Sequence, residues 1–205
     1  MKDPENIKTV AALSPDYMGF ICYDLSPRFI ADIPAETLNV LPANINRAAV
    51  FVDEDAATIN GLIDKFGFNT IQLHGNESPD FSNSFRHKIT VIKAFGLSRD
   101  FNFEQLNNYI GKVDYLLFDT KTELYGGSGK TFDWDILNNY KLSIPFFLSG
   151  GLSLENLEEV GRIDHPQFYG VDLNSKFELS PGLKDIEKLK KAFNMLKYNT
   201  NEIRS

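Results

Sequence analysis

Residues 1–15, "MKDPENIKTVAALSP", begin a helix almost at once, and this start decides how the rest of the chain is interpreted. Asp3 is a suitable N-cap residue and Pro4 suits the first helical position. Ile7 and Val10 lie at the spacing of an inner helix face. In a fold of alternating strands and helices, such a helix normally follows a strand. The sequence holds no residues for that strand.

Seven short apolar runs follow this helix and predict strands. They are residues 17–22, 47–52, 69–74, 90–95, 113–119, 145–149 and 168–173. Most runs are continuous rather than alternating, which is typical of strands buried on both faces of a parallel sheet. Helical patterns lie between them, for example in residues 54–66 and 183–196. This alternation predicts βαβ units with right-handed crossovers.

The number of strands separates two architectures. An open doubly wound sheet often has about five or six strands, whereas a closed (β/α)8 barrel has eight. Seven strands that follow a first helix with no strand before it fit either an open variant or a barrel that lacks its first strand. Without a linker-like or low-complexity segment, residues 1–205 are expected to form a single domain.

Composition and charge exclude several functional classes. The chain has 205 residues, 42% of them hydrophobic, with a net charge of −7 and a pI near 5.0. This acidity argues against a general nucleic-acid or membrane-surface binder. Cys22 is the single cysteine, so no internal disulfide can form and a reducing, cytoplasmic setting is expected. No apolar run is long enough to span a bilayer, and the polar N-terminus does not resemble a signal peptide.

Polar and glycine residues cluster just after the predicted strands. They are Ser26, Arg28, His74, Gly75, Asp119, Ser149, Gly150, Gly151, Asp172, Asn174 and Ser175. The carboxyl ends of parallel strands meet on one face, where α/β enzymes keep their active sites. This placement favours an enzyme, although loops are polar in any case.

The glycine-rich loop after the fifth strand contains "GGSGKT" at residues 126–131. A Walker A loop, G-x-x-x-x-G-K-[ST], would need glycine at position 124, where this chain has Leu124. The pattern therefore argues against a nucleotide-binding P-loop. Gly126, Gly127, Ser128 and Gly129 instead suit a hinged lid that closes over a ligand, with a plain flexible connector as the alternative.

A second glycine motif, "LSGGLSLENL", spans residues 148–157. Gly150 and Gly151 at a strand end allow backbone N–H groups to approach a phosphate, and Ser153 is a possible cap for a following helix. If the first strand of a barrel is missing, this loop and the one after residue 173 follow strands seven and eight, the usual phosphate site of barrels. Tight packing between helix and strand is the alternative explanation.

The remaining candidates each allow two interpretations. Asp119 is either a proton donor or acceptor or a structural carboxylate, and His74 is either a catalytic group or a pocket wall. Arg28 has the planar fork that clamps a carboxylate, but a surface ion pair is the commoner role of an arginine. Cys22, inside a strand, is more typical of a small core residue than of a nucleophile. The three histidines lack the spacing or cysteine neighbours of a metal site.

Several motifs together carry a family resemblance. They are "DPENI", "SPRF", "VFVDE", "IQLHGNE", "VIKAF", "LLFDTKTELYGGSGKTFDW", "LSGGLSLENL" and "VDLNSKFELSPGLKD". With them the chain resembles the phosphoribosylanthranilate isomerases, cofactor-free (β/α)8-barrel enzymes of tryptophan biosynthesis. The resemblance covers residues 1 to about 196. It implies a barrel without its first strand, a phosphorylated small-molecule substrate, no metal or other cofactor, and a monomer or homodimer.

The resemblance also implies roles for individual residues. Asp119 matches the general acid that opens the furanose ring of N-(5-phosphoribosyl)anthranilate in an Amadori rearrangement, and Arg28 matches the arginine that faces the anthranilate. The remaining matches are Gly150, Gly151, Asn174 and Ser175 for the phosphate, His74 and Asp172 for the pocket, and Gly126, Gly127, Ser128 and Gly129 for the lid.

One departure from the family pattern is serious. The family's general base is a cysteine at the end of the first strand, in a K-[IV]-C-G-[IM] pattern on whose last position Met1 falls. Cys22 lies in the next strand and does not replace it. We therefore expect impaired catalysis, and either lower stability than a full barrel or association through the gap. The alternatives are a non-catalytic module that binds a phosphorylated ligand and another phosphosugar barrel enzyme.

Overall fold

The structure, a computed structural model, describes residues 1–30, 33–120 and 134–202. Its α-helices are α1 (Pro4–Ala11), α2 (Glu36–Asn39), α3 (Ala56–Phe66), α4 (Pro79–Arg86), α5 (Leu157–Val160) and α6 (Ile186–Glu202). Short 3₁₀ helices cover Phe103–Tyr109, Trp134–Asn139 and Ser175–Phe177.

The main sheet contains all seven predicted strands. They are β1 (Tyr17–Ile21), β2 (Asn46–Phe51), β3 (Thr70–Leu73), β4 (Thr90–Leu97), β5 (Tyr115–Thr120), β6 (Phe146–Ser149) and β7 (Phe168–Val171). Every neighbouring pair is parallel, in the order β1 to β7. Among the strands described, β1 and β7 do not pair with each other. The fold is an α/β barrel with one strand position open, as predicted.

A small hairpin follows the main sheet and was not predicted from the sequence. Strands β8 (Glu178–Ser180) and β9 (Leu183–Lys184) pair antiparallel. Gly182, in the turn between them, has a φ of 86°, a left-handed conformation that glycine adopts without steric cost. The hairpin carries charged side chains to the carboxyl end of the sheet, where the candidate site lies.

The predicted first helix is confirmed in detail. The side chain of Asp3 accepts a hydrogen bond of 2.7 Å from the backbone N–H of Asn6, which is an N-cap contact. Pro4 occupies the first helical position, where a missing N–H costs nothing. Ile7 and Val10 are buried against the sheet. Helix α1 is therefore held by its own cap and by an apolar face.

Met1 lies beside the open edge of the sheet. Its side chain is buried, and its nitrogen donates to the carbonyl oxygen of Gly19 in β1 at 3.1 Å. Because Gly19 belongs to an edge strand, the chain before α1 borders the open strand position. The space where an eighth strand would pair is thus in contact with Met1.

An ion pair buried beneath the carboxyl end of β3 fixes the loop that follows it. Lys93 Nζ lies 3.1 Å from Glu77 Oε2, with only 2% and 3% of the two side chains exposed. Lys93 also donates to the carbonyl oxygen of Gly75 at 2.9 Å, and Glu77 accepts from the Gly75 N–H at 3.0 Å. Burial lowers the pKa of Lys93, and the charge of Glu77 opposes that shift. The pair therefore ties both backbone groups of Gly75 to the core.

We expect Glu77→Gln to lower the free energy of unfolding by about 3–5 kcal/mol, because it leaves the buried Lys93 ammonium without its counter-charge. Urea denaturation monitored by circular dichroism measures this change. Glu5→Gln is the matched control, since it breaks the Glu5–Lys8 pair, whose side chains are 82% and 54% exposed. That control should show little change. Equal effects of the two substitutions would show that the buried pair contributes no more to stability than the exposed pair.

Candidate active site

The carboxyl ends of four strands bring the predicted site residues together. His74 follows β3, Asp119 lies in β5, Ser149 ends β6 and Asp172 follows β7. They line one cavity of about 1380 Å³, which also reaches Arg28 beyond β1. The prediction that these polar residues share one face of the sheet is confirmed.

Asp119 and His74 form a hydrogen-bonded pair on the wall of the cavity. His74 Nε2 lies 3.2 Å from Asp119 Oδ2, and Gln72 Nε2 lies 2.9 Å from His74 Nδ1. Because a side-chain amide nitrogen only donates, His74 Nδ1 accepts and the proton of a neutral ring sits on Nε2, directed at Asp119. About a third of each side chain is exposed, 32% for His74 and 35% for Asp119. His74 therefore orients the Asp119 carboxyl group by a hydrogen bond, and both side chains remain open to a ligand.

Asp172 supplies a second carboxyl group to the site. Ser149 Oγ donates to Asp172 Oδ2 at 3.3 Å. Burial raises the pKa of Asp172, whereas the charges of Lys184 and of protonated His74 oppose that shift. Two carboxyl groups thus sit in different surroundings within one cavity, an arrangement that lets one act as acid while the other stays charged.

Arg28 is held by a bidentate ion pair. Its Nε lies 2.9 Å and its Nη2 2.6 Å from Glu178 Oε2. Within the described part of the chain, Nη1 has no hydrogen-bond partner. The sequence left open whether Arg28 clamps a ligand or forms an ion pair; the structure shows the ion pair and keeps donors of Nη1 available on the cavity side.

The glycine motif after β6 has the backbone that a close-approach loop requires. Gly150 and Gly151 have φ values of 86° and 63°, in the region that favours glycine. Both residues are partly buried at the carboxyl end of β6. Two consecutive residues without side chains allow a ligand to approach the backbone closely, which is compatible with the predicted phosphate role.

The predicted helix cap by Ser153 is wrong. Helix α5 begins only at Leu157 and has four residues. Asn156 intervenes: its Oδ1 accepts from the Ser153 N–H at 2.8 Å and its Nδ2 donates to the Gly151 carbonyl at 3.1 Å. This local turn satisfies the backbone groups that a longer helix would have used. A helix this short adds no useful dipole, so any anion binding here depends on loop N–H groups.

Asn174 and Ser175 lie after β7, as predicted. Asn174 Oδ1 accepts a hydrogen bond of 3.0 Å from Lys184 Nζ. Ser175 is exposed and begins a 3₁₀ helix. Both residues border the same end of the sheet as Gly150 and Gly151. The predicted lid, Gly126, Gly127, Ser128 and Gly129, lies outside the described residues.

Cys22 lies immediately after β1 and is 4% exposed. Burial raises the pKa of its thiol to about 12. Because the thiolate is the reactive form, this cysteine is unreactive near neutral pH. The structure confirms that it is a core residue.

Neither a metal-ligand cluster nor a helix suited to span a membrane is present in residues 1–30, 33–120 and 134–202. In these ranges no three His, Cys, Asp or Glu side chains are grouped as metal ligands. The helices described there lack the length and apolarity to cross a bilayer.

Comparison with known proteins decides the family. The family model for N-(5'-phosphoribosyl)anthranilate isomerase matches residues 1–195. The chain belongs to the phosphoribosylanthranilate isomerase family. The isomerase of that name from Parabacteroides distasonis is 45% identical over 196 residues, covering 93% of this chain and 87% of the relative. The recognition from sequence motifs, the barrel class and the assignment as an isomerase-type enzyme are thereby confirmed.

Solved structures of family members agree with the fold. The crystal structure of the Thermotoga maritima phosphoribosylanthranilate isomerase has a TM-score of 0.82 at 33% identity, covering 97% of this chain and 96% of that one. A second isomerase structure, in complex with reduced 1-(o-carboxyphenylamino)-1-deoxyribulose 5-phosphate, has a TM-score of 0.80 at 28% identity and covers 97% and 95% of the two chains. The described part of the chain thus shares its architecture with these family members.

Sequence reasoning missed three residues of this isomerase-family site. Gln72 orients His74, and Glu178 and Lys184 form ion pairs at the cavity. Gln72 carried a signal, because a polar residue inside a fully buried strand needs a hydrogen-bond partner. No such signal marked Glu178 in the sequence, because its partner Arg28 is 150 residues away.

Proposed function

We propose that this chain acts on N-(5-phosphoribosyl)anthranilate and belongs to the Amadori step that gives 1-(2-carboxyphenylamino)-1-deoxyribulose 5-phosphate in tryptophan biosynthesis. One observation carries the proposal: the hydrogen-bonded Asp119–His74 pair lines the cavity, in a chain that matches the isomerase family over residues 1–195. In this proposal residues 1–205 act as one domain, in the cytoplasm, as a monomer or homodimer.

The chemistry needs one acid and one base. Asp119 would donate a proton to the furanose ring oxygen, the C1–O bond would break, and the nitrogen lone pair would form a Schiff base. Removal of the C2 proton then gives an enolamine, which tautomerises to the amino-ketose. No electron leaves the substrate, so an external oxidant or reductant is not needed. Asp119 is 35% exposed, so it would regain its proton from solvent after each turnover, while His74 Nε2–H at 3.2 Å would orient the carboxyl group.

Binding would use both ends of the cavity. Arg28 would bind the anthranilate carboxylate through a planar guanidinium, and Gly150, Gly151, Asn174 and Ser175 would surround the phosphate. Asp172 would remain in the pocket between these ends. Two anionic groups on one ligand give such a site more to recognise than a phosphate alone.

Of the groups that the reaction needs, the base that removes the C2 proton is the least well provided in this site. Cys22 is buried and its thiol pKa is raised to about 12, and it lies inside the core rather than on the cavity wall. We infer that a polypeptide of these 205 residues alone binds ligand but turns over slowly. The same observation favours a second candidate, a non-catalytic module that binds a phosphorylated ligand.

We expect this polypeptide to bind reduced 1-(o-carboxyphenylamino)-1-deoxyribulose 5-phosphate, measured by titration calorimetry, and to convert the substrate slowly, measured as loss of its fluorescence. Ribose 5-phosphate, which lacks the aromatic acid, serves as the control ligand and should bind far more weakly. Binding without any turnover would favour the binding module. If the polypeptide neither binds the ligand nor converts the substrate, the proposed function is contradicted. Normal turnover would point to a base other than the family cysteine.

A further inference from the structure

The hairpin β8–β9 places a buried cluster of charges beside the cavity. Glu178 has 3% of its side chain exposed and lies between Arg28, at 2.6 Å, and Lys184, at 3.5 Å. Its Oε1 also accepts a hydrogen bond of 3.1 Å from the backbone N–H of Gly182, in the turn of the hairpin. One carboxylate thus meets two cations and a backbone donor, away from bulk water.

This cluster connects the two edges of the sheet that do not pair. Arg28 follows β1, whereas Lys184 donates to the Leu173 carbonyl at 3.2 Å and to Asn174 Oδ1 at 3.0 Å, both after β7. The Glu178 carboxylate lies between these two groups. The arginine end and the proposed phosphate end of the cavity are therefore linked through one side chain.

Glu178 remains ionised in this setting. Burial alone would raise its pKa, but the hydrogen bonds from Arg28 and the charge of Lys184 hold the pKa of Glu178 below its usual value. Lys184, buried with it, has a lowered pKa because of desolvation, which the charge of Glu178 opposes. An ionised carboxylate gives charge-assisted hydrogen bonds, which are shorter and stronger than neutral ones.

The guanidinium of arginine has two edges that suit a carboxylate. Glu178 occupies the edge formed by Nε and Nη2 of Arg28. The edge formed by Nη1 and Nη2 keeps the Nη1 donors, which have no hydrogen-bond partner among the described residues. A guanidinium is planar, so fixing one edge fixes the direction of the other. A flexible arginine would have to lose its rotamer freedom on binding, at a cost in affinity.

We propose that Glu178 is a positioning residue: it fixes the plane of the Arg28 guanidinium so that the second edge meets the carboxylate of an aromatic acid bound in the cavity. This inference rests on the proposed function for the identity of the ligand. It goes beyond that function by assigning part of the ligand specificity to a side chain that does not touch the ligand.

A purely structural ion pair would behave differently in two measurable ways. Loss of a structural pair would weaken every ligand alike, or only destabilise the fold. Loss of a positioning residue should weaken only ligands that carry the ring carboxylate, and only while Arg28 is present. The test therefore needs two ligands and a double-mutant cycle.

We expect Glu178→Gln to raise the Kd of the reduced carboxyphenylamino ligand about tenfold or more, which is the scale of a charged hydrogen bond. The matching ligand without the ring carboxylate is reduced 1-phenylamino-1-deoxyribulose 5-phosphate. Its Kd should change less than about twofold. In an Arg28→Met background, Glu178→Gln should have no further effect on either ligand. Glu187→Gln is the matched control, because Glu187 pairs with Lys190 on the exposed face of α6.

Equal weakening of both ligands by Glu178→Gln, or an undiminished effect without Arg28, would overturn the positioning role. If Glu178→Gln does not fold, Glu178→Asp keeps the charge but shortens the side chain, and the same ligand difference is expected. A measurement without ligand separates this inference from the proposed function: the Arg28 Nε–H resonance should exchange with water at least about tenfold faster in Glu178→Gln. Unchanged exchange would also contradict the inference, whereas failure of the parent chain to bind either ligand would contradict the proposed function.

Discussion

An N-terminal extension that adds Lys-Val-Cys-Gly as an eighth strand is expected to raise kcat about 10²–10⁴-fold over that of the 205-residue chain. This range is the typical contribution of a positioned general base. Among the described strands β1 and β7 do not pair with each other, and the Met1 nitrogen already donates to the Gly19 carbonyl of β1 at 3.1 Å. A parallel strand paired there would end at the carboxyl face of the sheet, the face that also carries Asp119.

The matched control is the same extension with alanine in place of cysteine. Both extensions should raise the thermal unfolding temperature equally, because each closes the sheet and covers its two free edges. Only the cysteine form should gain activity, followed as loss of substrate fluorescence under saturating substrate. The two effects of the extension, on stability and on catalysis, are thereby separated.

Equal turnover with either extension would show that the cysteine is not the base in this protein. Equal turnover of the extended and unextended chains would contradict the impaired catalysis proposed above. If neither extended form turns over while both bind the reduced product analogue, the binding-module alternative becomes the better description. Each result therefore selects one of the stated functions.

The sheet was predictable from sequence because its signal is local. Each strand of a parallel sheet is buried on both faces, so it appears as a continuous apolar run; β3 and β6, for example, are buried at every residue. Helix α1 was equally readable, since its cap and its apolar face lie within eleven residues. Predicted and observed strand boundaries differ by about two residues, as is usual for terminal residues.

The elements that were missed depend on contacts that sequence spacing does not reveal. Helix α5 is short because Asn156 forms a side-chain turn with Ser153 and Gly151, which competes with a longer helix. The hairpin β8–β9 has only five residues in its strands, too few to show a pattern. Short elements carry little periodicity, so tertiary contacts decide them.

The candidate site likewise has one part that could be predicted from the sequence and one part that could not. That His74, Asp119 and Asp172 share one face follows from the geometry of parallel strands, which a list of strand ends is enough to predict. The direct His74–Asp119 hydrogen bond and the ion pair between Arg28 and Glu178 depend on side-chain directions across distant elements. The resemblance predicted that Arg28 faces the ligand, but it did not predict the carboxylate that holds it.

Asp119→Asn, made in the extended protein, is expected to lower kcat about 10²–10⁴-fold while leaving the affinity for the reduced product analogue nearly unchanged. Asparagine has almost the shape of aspartate and can still accept from His74 Nε2, which lies 3.2 Å from the carboxylate. It cannot donate an acidic proton to the furanose oxygen. The loss should therefore appear in the chemical step and not in binding, and steady-state kinetics combined with calorimetry measure both.

His74→Gln and Asp172→Asn complete this test, because they change the two neighbours of the proposed acid. His74→Gln should cost less than Asp119→Asn, since His74 only orients the Asp119 carboxyl group, and solvent can reprotonate a carboxyl group that is 35% exposed. Asp172→Asn should mainly weaken binding, because Asp172 is assigned to the pocket and not to proton transfer. Burial raises the pKa of Asp172, which makes it a second carboxyl group in the cavity suited to hold a proton. A larger loss of kcat in Asp172→Asn than in Asp119→Asn would therefore transfer the role of general acid from Asp119 to Asp172.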